Sequence, residues 1–93
     1  MRFEWDEAKN EANQQKHGVT FLIASLVFDD PHVLLFIDRV VDGEERWHAI
    51  GQVSGALLFL TVVHTYVEEE VVRIISARPA TRKERNEYAE TIL

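Results

Sequence analysis

The chain contains no cysteine. That excludes a disulfide framework, a thiol nucleophile and a thiolate metal site. Two prolines and four glycines in 93 residues form no Pro/Gly-rich linker, and neither an internal repeat nor a low-complexity tract is present. Long hydrophobic runs are missing too: the longest apolar stretch, Ala56 to Val63, is far too short to cross a bilayer. The opening Met1-Arg2-Phe3-Glu4-Trp5-Asp6 lacks the basic flank and apolar core of a secretory signal. A cytoplasmic location with no membrane partner is the expectation. What is present is an apolar fraction of 46 %, too high for a disordered chain, in a length that suits one domain over residues 1–93.

Basic residues are scarce, ten against sixteen acidic ones, and the net charge of −6 taken alone argues against a nucleic-acid partner. Their distribution says something different. Residues 1–70 carry five basic and thirteen acidic groups, whereas residues 71–85 carry Arg73, Arg78, Arg82, Lys83 and Arg85 against Glu84 alone. Screening confines each charge's reach to about 10 Å, so a local basic patch on an acidic body can still bind phosphate.

The first periodic segment runs from Asp6 to His17, with Asp6 as cap and Gly18 placed to stop it. Thr20 opens a second, shorter helix from Phe21 to Phe28, which Asp29-Asp30-Pro31 ends. Leu22 and Ile23 make it apolar almost all round, which suggests burial against a partner or tight sandwiching. Strand patterns follow: Val33 to Ile37, Arg46 to Val53, a tight turn at Ser54-Gly55, Leu57 to Tyr66, a Glu68-Glu69 turn, and Val71 to Ala77. Thr81-Arg82-Lys83-Glu84 matches a capping box and starts a last helix. The expected fold is α+β: two N-terminal helices, a four-stranded antiparallel sheet and a C-terminal helix.

Hairpin register turns this pattern into a candidate site. If Val53 pairs with Ala56, His64 lies opposite Glu45; if Val67 pairs with Glu70, His64 lies opposite Arg73. One sheet face then carries Glu45, His64 and Arg73 within about 5 Å of their neighbours. Imidazole titrates near neutral pH, so His64 between a carboxylate and a guanidinium suits general acid/base work. His64 also interrupts a strand that is otherwise apolar or branched. In the same register His48 falls on the opposite face, which argues against a metal site shared by the two histidines. Trp5 and Trp47 suit the core better than a stacking platform.

The end of the sheet is more informative. Arg78 leaves the last strand, and Arg82, Lys83 and Arg85 crowd the first turn of the following helix. Cations are unfavourable at the positive end of a helix dipole unless an anion sits there, and phosphate is the natural candidate. The competing possibility is that these side chains bend back to Glu84, Glu87 and Glu90.

Several blocks carry a family resemblance: Phe3-Glu4-Trp5-Asp6-Glu7-Ala8-Lys9, Asn13, Lys16-His17-Gly18-Val19 with Phe21, and Val27-Phe28-Asp29-Asp30-Pro31. Val63-His64-Thr65, Arg73-Ile74-Ile75-Ser76-Ala77-Arg78 and Ala80-Thr81-Arg82 with Glu84-Arg85 continue it. Together they resemble the BrnT family of bacterial toxins over nearly the whole chain. The resemblance implies a RelE-like fold, a ribonuclease that inhibits translation, and a BrnA-type antitoxin bound in a hetero-oligomer. Operator DNA is reached only through that antitoxin. It also implies that Arg78 stands at the scissile phosphate, with Arg46 and His64 beside it and Tyr88 as the aromatic residue of the last helix.

Two functions are therefore weighed. The first is a metal-independent endoribonuclease needing no cofactor, in which the RNA 2′-hydroxyl attacks the adjacent phosphate. His64 or Glu45 takes the proton, Arg78 and Arg46 hold the phosphoryl oxygens, and Arg73, Arg82, Lys83, Arg85 and Tyr88 bind substrate. The second is a non-catalytic module that docks an antitoxin and contributes to operon repression.

Overall fold

The computed structural model describes residues 1–54 and 57–92. A three-residue strand, β1 (Arg2–Glu4), opens the chain. Asp6 caps α1 (Glu7–His17) by accepting from the Ala8 and Lys9 amides at 2.8 and 3.3 Å, and the helix stops at Gly18. Thr20 caps α2 (Phe21–Ser25), which tightens into a 3-10 turn over Leu26–Asp29. Then come β2 (Leu34–Val41), β3 (Glu44–Val53), β4 (Leu58–Glu68), β5 (Val71–Pro79) and α3 (Arg82–Glu90). None of the helices in the described residues is long and apolar enough to cross a membrane.

The sheet order is β1-β5-β4-β3-β2, with β1 parallel to β5 and the other pairs antiparallel. The expected four-stranded antiparallel sheet is thus a five-stranded mixed one. Three residues are too few to show an alternation, and β1 finds its partner at the far end of the sequence, Arg2 opposite Val71.

One face of the sheet is covered by α1, α2 and the 3-10 turn. Val19, Phe21, Ala24 and Val27 bury against Ala49, Leu60, Val62, Val72, Ile74 and Ala77. A polar clamp holds α1 there. The buried Asn13 carboxamide donates to the carbonyls of Val19 and Ala77 at 2.8 Å each and accepts from the Ala77 amide at 3.1 Å. The close seating of the 3-10 turn on β3 requires a glycine, since a Cβ on Gly51 would lie 2.8 Å from Val27 Cγ1. Leu22 and Ile23 are not sandwiched: both stay exposed on α2.

The other face is covered only at one end, by α3. Tyr88 and Ala80 pack with Ile50, Leu34, Phe36 and Phe59. The Tyr88 hydroxyl donates to Asp30 at 2.6 Å, and the same carboxylate accepts from the amides of Gln52 and His32. Burial, helped by that bond to Asp30, pushes the Tyr88 phenol up to about 12.

Three turns set the register. β2 and β3 join through Asp42 and Gly43, both at positive φ (51° and 80°), so Val41 pairs with Glu44. Asp-Gly is a strong signal for such a tight hairpin, because glycine adopts that backbone freely. β3 and β4 pair Val53 with Leu58, not with Ala56. The turn expected at Ser54-Gly55 lies partly outside the described residues. β4 and β5 pair Glu68 with Val71 rather than Val67 with Glu70, with register shifts between Val63 and His64 and between Tyr66 and Glu68.

Candidate active site

These registers dissolve the expected cluster of Glu45, His64 and Arg73. Trp47, not Glu45, lies opposite His64, because the β3–β4 connection is longer than a two-residue turn. On the other side the turn pairs Glu68 with Val71, and the extra β4 residue between Tyr66 and Glu68 then sets Arg73 opposite Thr65 and Ile74 opposite His64. Glu45 is exposed and pairs with Val40. Arg73 binds Glu4, its register partner on β1, at 3.4 Å.

His64 itself is fully buried, 0 % exposed, on the helix-covered face. Its ring stands edge-on to Phe28 (centroids 4.9 Å apart) and Tyr66 (5.1 Å). Burial pushes the imidazole down to about 4, so it is neutral at pH 7, and its Nε2 has no hydrogen-bond partner among the described residues. Where Nδ1 approaches anything polar it is the Val62 carbonyl, at 3.3 Å. In this structure the ring is out of a substrate's reach.

The cationic start of α3 is resolved internally. Glu84 reaches back to accept from the Thr81 amide at 2.9 Å while Thr81 Oγ1 accepts from the Glu84 amide at 3.1 Å. The same carboxylate takes the Arg78 guanidinium in a fork, at 2.6 and 2.9 Å. The bond from Arg78 holds the Glu84 carboxyl down at about 2, and Glu84 in turn raises Arg78. So the anion that offsets this end of the helix is Glu84. Arg85 donates to the Ala80 carbonyl at 3.1 Å, and Arg82 and Lys83 are exposed. Tyr88, expected at the substrate, is 5 % exposed and serves to dock α3 through Asp30 and Phe59.

The part of the sheet that α3 leaves uncovered holds a different constellation. Arg46 and His48 alternate along β3 onto this face, His48 against the ring of Phe36 (centroids 5.3 Å apart). Arg39 on β2 lies directly opposite Arg46. Like charges so placed repel, and they are balanced by carboxylates: Arg39 Nε lies 2.9 Å from Asp38 and Arg46 Nε 3.3 Å from Glu44. Between Ile37 and Arg39 the register shifts, leaving Asp38 as the unpaired residue of a bulge. Bulges re-aim side chains, and here the Asp38 carboxylate comes within 3.6 Å of His48 Nε2. Arg78, two strands away opposite Thr61, reaches α3 on the same face.

A carboxylate beside an imidazole, flanked by two facing guanidinium groups, can orient a proton acceptor next to a bound phosphate. Of the residues expected at a site, this face holds Arg46 and Arg78 and excludes His64. His48, Asp38 and Arg39 are the additions. Asp42-Gly43 was the signal that could have found Arg39, since a two-residue turn there sets it opposite Arg46; the bulge that turns Asp38 to His48 has no such signal.

Comparison with known proteins gives a consistent result. The family model described as "Ribonuclease toxin, BrnT, of type II toxin-antitoxin system" matches residues 5–84. Among solved structures, the chain is similar to the crystal structure of the Brucella abortus ribonuclease toxin BrnT. The two are 30 % identical, with a TM-score of 0.69 over 88 % of this chain and 99 % of that one. No curated protein matches.

Proposed function

The chain belongs to the BrnT family of type II toxin–antitoxin ribonuclease toxins, and from that premise we propose that it cuts RNA on the sheet face α3 leaves open. The observation that carries this reading is the bulge at Asp38, which turns a carboxylate onto His48 beside the facing pair Arg39 and Arg46. His48 takes the proton of a ribose 2′-hydroxyl, whose oxygen attacks the adjacent phosphorus as the bond to the 5′-oxygen breaks. The 5′-oxygen leaves with a proton from water. A 2′,3′-cyclic phosphate and a 5′-hydroxyl end result, and no cofactor is needed. Asp38 steadies the imidazolium, while Arg39 and Arg46 neutralise charge gathering on the phosphoryl oxygens. Arg78, with Arg82 and Lys83 beyond it, extends the positive track for the RNA chain. Cleavage of this kind inhibits translation.

A type II toxin is partnered by an antitoxin. Here we infer a BrnA-type antitoxin in a hetero-oligomer that contacts operator DNA through the antitoxin alone.

The test is incubation of the purified chain with RNA in excess chelator, followed by mapping of the new ends. Wild type is expected to release 5′-hydroxyl and cyclic-phosphate ends, and a 2′-deoxy substitution at the cut to block them. Intact RNA from folded wild-type protein would overturn the reading. That outcome would favour the non-catalytic module, which one observation supports: Arg39, Arg46, Arg73 and Arg78 each already face a carboxylate of the chain.

A further inference from the structure

On the opposite face from His48, Trp47 and Tyr66 form an open corner. Their rings stand at 82°, with centroids 5.4 Å apart, and Tyr66 is 42 % exposed. They line a hollow of about 420 Å³ together with Gly43, Glu44 and Glu45. No lysine or arginine is among its lining residues. Glu44 is shared with Arg46, whereas Glu45 makes no ion pair among the described residues. Two aromatic faces at a right angle beside a free carboxylate attract a cation by ring quadrupole and by charge together. The shape suits a guanidinium better than an ammonium, because a flat fork can stack on indole while bonding a carboxylate.

We propose that this corner takes the guanidinium of an arginine side chain presented by the antitoxin. Charge complementarity supports that occupant: Glu44 and Glu45 both line the hollow and no basic residue does. The imidazole packed behind Tyr66 is uncharged at neutral pH and does not repel a cation. Since Trp47 and His48 point to opposite faces, the corner anchors the partner without occupying the cleavage face. The identity of the partner rests on the toxin–antitoxin reading; the cation preference does not.

Two measurements test it. The whole chain is titrated with N-acetyl-arginine amide and, separately, with the uncharged N-acetyl-citrulline amide, following the Trp47 indole N–H and Tyr66 ring signals by NMR. The arginine compound is expected to shift both saturably and the citrulline compound to shift neither. Antitoxin affinity is then measured for wild type, Glu45→Gln and Tyr66→Leu. Each variant is expected to bind about 5–30-fold more weakly, the range for a desolvated cation–π and carboxylate contact. Glu45 is exposed, so its variant folds even if the Tyr66 variant does not. Equal response to both amides, or unchanged antitoxin affinity in Glu45→Gln, overturns the proposal. Neither readout involves RNA cleavage, so the ribonuclease reading stands or falls separately.

Discussion

His48 and His64 lie one step out of phase on neighbouring strands, with Trp47 opposite His64 and Val63 opposite His48. His64 interrupts β-branched and apolar sequence, whereas His48 follows Glu44, Glu45, Arg46 and Trp47. Their environments diverge as well. Under α2 and the 3-10 turn, His64 is sealed among rings and its charged form is suppressed. On the face that α3 covers only at one end, His48 keeps a carboxylate 3.6 Å away and an arginine two residues before it. The difference teaches that the covering helices, more than the strand itself, decide whether a sheet histidine is sealed in the core or left beside charged groups. A histidine inside a greasy strand is better evidence of a core than of a site.

The contrast is broken most directly by exchanging the fates of the two rings. His48→Gln is expected to slow RNA cleavage by about 10²–10⁴-fold while leaving the urea midpoint almost unmoved. His64→Gln should do the reverse, costing about 1–3 kcal/mol by burying an unpaired amide, with cleavage per folded molecule retained. Single-turnover kinetics beside urea melts decide it; opposite results would return His64 to the site.

Asn13→Ala probes the covered face without touching either histidine. Three backbone groups lose their partner, and a loss of roughly 2–4 kcal/mol in unfolding free energy is expected. A change below about 0.5 kcal/mol, the range of an ordinary surface substitution, would mean the clamp does not hold α1.

The pH dependence sharpens the comparison further. The folded His64 imidazole titrates at about 4 against 6.5 unfolded, so the unfolded chain binds the extra proton first. Stability is therefore intact above pH 6.5 and falls as pH drops towards 4, by up to roughly 3 kcal/mol. His64→Leu should flatten that window in urea melts taken across pH 4–7. Glu84 acts in a lower window: its carboxyl is held at about 2 against 4.5, so its contribution is present above pH 4.5 and lost as pH falls through 2. The smallest effect is expected from Glu84→Gln, which releases Arg78 and should tighten RNA binding a few-fold in a filter assay. Weaker binding instead would show that Arg78 needs Glu84 to hold its place.

Much of the fold was legible because its signals are local. Asp6 and Gly18 bracket α1, Thr20 opens α2, and the Thr81–Glu84 capping box starts α3 where the residues say it should. Strand interiors were equally clear, although β2 runs on past Ile37 to Val41. What escaped was non-local. β1 has three residues and a distant partner, and the β4–β5 pairing shifts at two places that no hairpin rule contains. The expected cluster of Glu45, His64 and Arg73 came apart for the same reason. Arg46 and Arg78 were visible as basic residues on strands, but a two-residue error at Val53 carried Glu45 to His64. The Arg78–Glu84 pair had been foreseen only as the alternative to an anion.

The parallel edge strand has a consequence for the order in which the molecule is made. Arg2, Phe3 and Glu4 are made before the rest of the sheet, yet pair with Val71, Val72 and Arg73. β1 cannot join the sheet until β5 has been synthesised, so it waits until every other strand has been made. Every residue assigned to cleavage up to His48 is already present in the nascent chain by then.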